Sequence, residues 1–372
     1  MLRIGIDGRA FASPAAGVRR YVNGLTRALL ALGEPLSVVA LGGQDSSLLP
    51  PGVGHVAESW HPPTNLGWTL VGLPHAAWRA AVDVIHAPSY TAPFWSPVPV
   101  VLTIHDVSYE RHPQWYPYKR DWARRTFYRR SANAASHILT ISRFSATEIA
   151  AAYRVPADRM TVTLLGVDDT FALADSHVLG ELPRGVSEPY LLHVGDLHER
   201  RNLTTLVDAV LAVRRHVGGA FGTLSLVLAG ADRGVGDTLL GIAAQAGAAD
   251  AVVRLGPVGE TRLRTLYRGA VALAYPSLYE GFGLPLVEAM ACGTPVIASN
   301  TSSMPEVLGG AGILVDPADG QAWASAIIDV VNSDETRARL RTAGLSRAAE
   351  FTWERTAKAT LDVYRRVLTH RA

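Results

Sequence analysis

At 372 residues the chain exceeds one ordinary hydrophobic core and fits two domains of about 180 residues each. Its 48% hydrophobic and 18% charged residues, with 34 glycines, exclude a disordered or low-complexity chain and are those of a folded α/β protein. A formal net charge of +2 is too small to argue for a nucleic-acid partner, and the single cysteine, Cys292, excludes an internal disulfide or cysteine-rich metal site, as expected for the reducing cytoplasm.

Met1-Leu2-Arg3-Ile4-Gly5-Ile6-Asp7 reads as a first strand rather than a charged leader, so no signal peptide is expected. No apolar run approaches the roughly 18 residues that span a bilayer. Strand-like runs recur at 2–6, 37–41, 82–86, 98–104 and 137–141, with helical patterns such as 18–32 between them. This alternation predicts a parallel sheet. A Gly/Pro-rich break at 180–189 marks the domain boundary. Beyond it the pattern restarts at 190–194, 224–229, 252–255, 271–275, 295–298 and 312–315. The expected fold class is α/β, with two Rossmann-like parallel-sheet domains at 1–182 and 183–354. The first strand leads into Asp7-Gly8-Arg9-Ala10-Phe11, so the G-x-G-x-x-G dinucleotide fingerprint is missing and a nicotinamide dehydrogenase is disfavoured.

The most informative stretch runs from Tyr275 to Ile297 and contains Glu280-Gly281-Phe282-Gly283-Leu284-Pro285 and Glu288. A strand ends near Tyr275, a tight Gly-x-Gly loop follows, and Pro285 suits a first helical position. The backbone N–H groups of Phe282, Gly283 and Leu284 at the positive helix end suit a phosphate or sugar hydroxyl. Glu288 in the following helix is placed to accept the two hydroxyls of a ribose diol, with Glu280 on the other side of the same pocket. Taken singly, Glu280 reads equally as a solvated loop acid and Glu288 as a complement to the helix dipole; the pair in this setting favours a site.

This segment resembles the E-x7-E signature of the retaining family-4 glycosyltransferases of the GT-B fold, in the subgroup of bacterial mannosyltransferases and related enzymes of polysaccharide biosynthesis. The resemblance covers nearly the whole chain. It implies that Glu288 binds the nucleotide ribose and that Glu280 lies beside the transferred sugar. The run from Tyr190 to Leu203 resembles the family's strand, loop and basic pair, which makes Arg200 and Arg201 the implied diphosphate clamp; a fixed cation there stabilises the charge of a departing nucleoside diphosphate. His105, at the end of the run Val101-Leu102-Thr103-Ile104, resembles the histidine that lies against the donor sugar. Ala15-Ala16-Gly17-Val18-Arg19-Arg20 resembles the glycine-rich loop near the diphosphate; Arg19 replaces its second glycine, so only Gly17 is carried over. The final stretch, 355–372, is implied to be a helix crossing back onto the first domain.

The implied reaction is metal-independent transfer of a hexosyl group, mannose first, from a nucleotide diphosphate-sugar to a glycan or lipid-linked acceptor in the cleft between the domains. The anomeric configuration is retained by front-face attack with the leaving phosphate as base. No Asp-x-Asp metal motif occurs and no cofactor is required, with GDP-mannose the first donor and UDP- and dTDP-sugars open. A sugar-nucleotide epimerase of the same shape, or a non-catalytic sugar-nucleotide-binding protein, are the alternatives. Residues 115–130 carry six basic residues and one acid with interleaved aromatics. They are expected either to lie peripherally on the inner face of the membrane or to pack the aromatics inward.

Overall fold

The structure, a computed structural model, describes residues 1–43, 45–57, 64–116, 121–172, 180–217 and 222–369. The chain divides into two compact units, Met1–Gly166 with Thr352–Ala372 and Val167–Phe351.

The first unit holds a seven-stranded sheet of β1 (Leu2–Asp7), β2 (Leu36–Leu41), β3 (Gly54–Val56), β4 (Val84–Ala87), β5 (Val100–Ile104), β6 (His137–Thr140) and β7 (Met160–Val162). Its order is β3-β2-β1-β4-β5-β6-β7 and every pairing is parallel. Strands β4, β5 and β6 are buried along their whole length, which explains why the sequence shows continuous apolar runs there and no alternation. The short edge strands β3 and β7 were not legible in the sequence: each has three residues, and neither carries a buried residue.

Helices Ala16–Ala31 and Trp353–Thr369 pack together in this unit, so the chain's last helix completes the first unit. Two glycines permit that contact. A Cβ on Gly24 would lie 2.2 Å from the Trp353 ring, and one on Gly166 2.2 Å from the Trp353 backbone nitrogen. A buried polar chain fastens the helix to the sheet: His86 Nδ1 meets the Tyr364 hydroxyl at 2.5 Å, and Thr103 Oγ1 lies 2.8 Å from both His86 Nε2 and the Tyr21 hydroxyl.

The second unit holds β8 (Tyr190–Val194), β9 (Ser225–Ala229), β10 (Val252–Gly256), β11 (Ala272–Tyr275), β12 (Val296–Ser299) and β13 (Ile313–Val315). They form a parallel sheet in the order β10-β9-β8-β11-β12-β13. The unit begins at Val167, ahead of the Gly/Pro-rich break, because residues before the break already pack with it. Phe171 is buried edge-on against Tyr267, and its carbonyl accepts from Cys292 Sγ at 3.4 Å.

Candidate functional site

In each sheet the strand order reverses once, between β1 and β4 in the first and between β8 and β11 in the second. Open parallel sheets take ligands in the crevice outside the carboxyl ends of the strands at such a reversal.

In the second unit both loops at that crevice carry the residues singled out in the sequence. After β8 the chain turns through Gly195, whose φ of 134° is left-handed and whose added Cβ would meet Arg201 Nη2 at 3.2 Å. His198 Nδ1 accepts from the Arg200 N–H and caps the short turn Glu199–Arg201; the helix Leu203–Val217 follows. After β11, the Arg200 carbonyl accepts from the Leu278 N–H at 2.8 Å, tying one loop to the other.

The centre of the arrangement is Arg201, 8% exposed. Its Nη1 donates to the Tyr275 hydroxyl at 2.5 Å and to Ser277 Oγ at 3.3 Å, and it ion-pairs with Glu280, itself 5% exposed. The guanidinium carbon lies 5.3 Å from the centre of the Tyr275 ring. Burial pushes the guanidinium pKa down, and Tyr275 acts in the opposite direction. Beneath it, His193 stacks on Tyr275 with ring centres 5.4 Å apart. Burial, and then the charge of Arg201, push the His193 pKa down to about 3, so the ring is neutral. Its Nδ1–H donates to the Ala274 carbonyl at 3.1 Å.

The Glu280 loop is pinned from the other side by two serines. The Glu280 N–H donates to Ser302 Oγ at 3.0 Å, while the Ser303 hydroxyl lies 2.9 Å from the Glu280 carbonyl and 3.0 Å from that of Phe282. Gly283, with φ of 96°, then opens the helix Leu284–Ala291, with Pro285 in its first turn. The Phe282 side chain is buried edge-on against Phe351, so this residue anchors the loop by packing. Glu288 is the fifth residue of that helix and is 2% exposed; its Oε2 accepts from the Tyr267 hydroxyl at 2.8 Å.

The second unit therefore brings Arg200, Arg201, Glu280, Phe282, Gly283, Leu284 and Glu288 onto two linked loops and one helix. His105 and Gly17 belong to the first unit. His105 follows β5; its Nε2–H donates to the Pro88 carbonyl at 3.0 Å, and burial lowers its pKa. Its ring meets Tyr21 edge-on at 5.0 Å and Tyr90 at 6.1 Å. Gly17 lies in the first turn of Ala16–Ala31, not in a loop, and a Cβ there would meet nothing within 4 Å. Asp196, on the loop after β8, ion-pairs with Arg233 at 2.9 Å. Sequence reasoning did not pick out Tyr275, Ser302 or Tyr267 as individual site residues. Tyr275 stood at the head of the stretch from Tyr275 to Ile297, whereas Ser302 lies beyond that stretch and Tyr267 before it, and neither carried a local signal.

Of residues 115–130, 117–120 lie outside the described residues. The remainder forms the turn Pro113–Trp115 and the helix Trp122–Ala134, capped by Asp121. Phe127 packs on Phe94 and Tyr128 on Tyr90, whereas Trp122 is 74% exposed.

The class this architecture defines is the doubly wound α/β protein that takes ligands at the carboxyl ends of its strands. The family model for glycosyl transferases group 1 matches residues 180–347, and that for Glycosyltransferase Family 4 matches residues 15–171. The O-antigen chain mannosyltransferase B of Escherichia coli is 34% identical over 269 residues, 71% of this chain and 70% of its own. A D-inositol 3-phosphate glycosyltransferase of Xylanimonas cellulosilytica is 31% identical over 327 residues, 83% of this chain and 73% of its own. Sucrose-phosphate synthase from Thermosynechococcus elongatus has the same fold, with a TM-score of 0.77 at 23% identity over 100% of both chains. The chain belongs to the glycosyltransferases of the GT-B fold, and its activity is sugar transfer.

Proposed function

We propose that the chain transfers a hexosyl group, mannose first, from a nucleotide diphosphate-sugar to a glycan or lipid-linked acceptor, with retention of configuration and without a metal. The observation that carries this reading is the buried Arg201–Glu280 pair at the strand reversal of the second sheet, beside the amino end of Leu284–Ala291. A helix amino end and a fixed guanidinium both favour a diphosphate. In this reading Arg200, Arg201 and the backbone amides of Phe282, Gly283 and Leu284 bind the phosphates, and Glu288 binds the ribose. Glu280 is held in place by Arg201 to orient the sugar. The resemblance also assigns His105 to the donor sugar, and its buried, neutral ring suits a neutral ligand better than a charged one. Negative charge grows on the departing phosphate in the transition state. A cation already fixed by Tyr275 and Ser277 stabilises it without reorganising.

The test is a thermal-shift panel of GDP-, UDP- and dTDP-sugars, followed by the anomeric signal of the product by NMR. A ligand that binds only the folded chain raises its melting temperature. GDP-mannose is expected to give the largest shift and transfer is expected to persist in EDTA; an inverted product, or activity lost to EDTA and restored by Mg or Mn ions, refutes this mechanism.

The exposed Trp122 and Trp95, with the arginines of Trp122–Ala134, further support salt-sensitive association of the first unit with an anionic membrane on its cytoplasmic side. Equal recovery in the supernatant with neutral and anionic vesicles at low salt counts against it. Among the described residues, no helix is long and apolar enough to cross a membrane.

A further inference from the structure

Hydrogen bonds are directional, so a carboxylate that accepts both hydroxyls of a ribose diol must present its oxygens in a defined plane. The end torsion of a glutamate is broad and roughly two-fold, and its rotamer does not set that plane. The plane has to be set from outside the side chain. At Glu288, which is 2% exposed, the Tyr267 hydroxyl donates to Oε2 at 2.8 Å across 21 residues of chain. A phenylalanine would fill the same space; what the hydroxyl adds is a donor aimed at a buried carboxylate.

Tyr267 is itself held from several sides. It stands fully buried on the helix Glu260–Gly269, which packs against Leu284–Ala291. Its carbonyl accepts from Thr294 Oγ1 at 2.7 Å, and its ring meets Phe171 edge-on with centres 6.0 Å apart. Phe171 closes the short turn Asp169–Phe171 on the strap by which the chain enters the second unit. Three carbonyls of that strap are gripped in succession. Arg264 Nη1 donates to Thr170 at 3.0 Å, Cys292 Sγ to Phe171 at 3.4 Å and Arg268 Nη2 to Ala172 at 2.9 Å. Arg264 and Arg268 stand on the helix that carries Tyr267, and Cys292 ends the helix that carries Glu288. The strap is therefore bonded to both helices whose side chains meet at the hydroxyl–carboxylate contact.

We propose that Tyr267 is a positioning residue of the donor site: its hydroxyl sets the plane of the Glu288 carboxylate for the ribose diol, and the strap Asp169–Phe171 holds that hydroxyl in place. The inference rests on the donor reading above and deepens it by naming what makes the ribose contact selective. The bond to Oε2 is internal to the second unit, so the carboxylate is oriented without help from the ligand and less ordering is left to occur on binding. A nucleotide that lacks the diol does not use this plane. Loss of the Tyr267 hydroxyl therefore weakens ribose nucleotides and spares their deoxygenated counterparts.

The experiment is calorimetric titration of the full chain with GDP and with 2′,3′-dideoxy-GDP, repeated with UDP and its dideoxy form because the ribose contact does not fix the base. The ratio of the two affinities isolates the diol. The wild-type chain is expected to favour the ribose nucleotide at least about tenfold, as hydrogen bonds to a charged group allow. Tyr267→Phe is expected to lower that ratio about fivefold while the dideoxy nucleotide binds within about twofold of its wild-type affinity. Glu288→Ala is expected to remove the preference, and adding Tyr267→Phe to it to change nothing further, since two residues that serve one contact are not additive. Phe171→Leu, which keeps the hydroxyl but removes the ring edge behind it, is expected to lower the ratio by a smaller factor. A purely structural tyrosine would instead lower the melting temperature and weaken both nucleotides alike. A wild-type ratio in Tyr267→Phe, or equal loss for both nucleotides, overturns the positioning role, and an unchanged ratio in Phe171→Leu overturns the part given to the strap. Failure of both GDP and UDP to bind the wild-type chain overturns the donor reading and the inference with it, a result distinct from failure at Tyr267 alone.

Discussion

Arg201 and Glu280 neutralise each other inside the second unit, so removing either alone strands a buried charge. Such a loss costs about 3–5 kcal/mol, whereas replacing both partners by apolar residues is often neutral. Arg201→Met is therefore expected to lower the denaturant midpoint and abolish donor binding, and the double variant Arg201→Met/Glu280→Leu to recover most of the stability with no recovery of binding. A double variant as unstable as the single one argues that Arg201 stabilises through Tyr275 and Ser277, not through the ion pair. These two charges were legible in the sequence because local motifs carried them. Their supports were not: Tyr275 lies 74 residues from Arg201 and Tyr267 lies 21 from Glu288, contacts that only the strand order creates.

Among the elements, the packing of Ala16–Ala31 against Trp353–Thr369 depends on the bare backbone of Gly24. Gly24→Ala puts a methyl group into the indole ring, and overpacking of this kind costs about 1–3 kcal/mol despite the better helix propensity of alanine. The expected result is a lower melting temperature for Gly24→Ala, with nucleotide binding by the second unit retained; an unchanged melting temperature means that Trp353 has room to move. The sequence disclosed the long buried strands through their apolar runs. It missed β3 and β7 because a three-residue edge strand, with no buried residue, imposes almost no pattern. It placed the domain boundary late because composition marks where the chain is irregular, whereas the unit begins where Phe171 first packs.

For the whole molecule, each unit hides a histidine that burial keeps neutral: His86 in the first and His193 in the second, both pushed from 6.5 to about 3. Unfolding exposes them to water, where they bind protons below pH 6.5, so the unfolded chain takes up more protons than the folded one. Stability is thus full above pH 6.5 and declines as the pH falls toward 3, by up to roughly 1.4 kcal/mol per pH unit for each histidine. Urea midpoints measured from pH 7 to pH 5 are expected to fall accordingly and His193→Gln to reduce the slope; a pH-independent midpoint excludes this linkage.

The second unit is contiguous, whereas the first is interrupted by it. During synthesis the ribosome delivers β1 to β7 early, yet Tyr364, which reaches His86 from the last helix, follows only after the 185 residues of Val167–Phe351. At the usual elongation rate of about 5–20 residues per second, this interval is roughly 10–40 s. Throughout it the nascent first unit exposes the apolar groove that Trp353 will fill, while the second unit has everything it needs to fold. The half of the enzyme made first is therefore the half completed last, and a premature stop near the carboxyl end injures the amino-terminal unit.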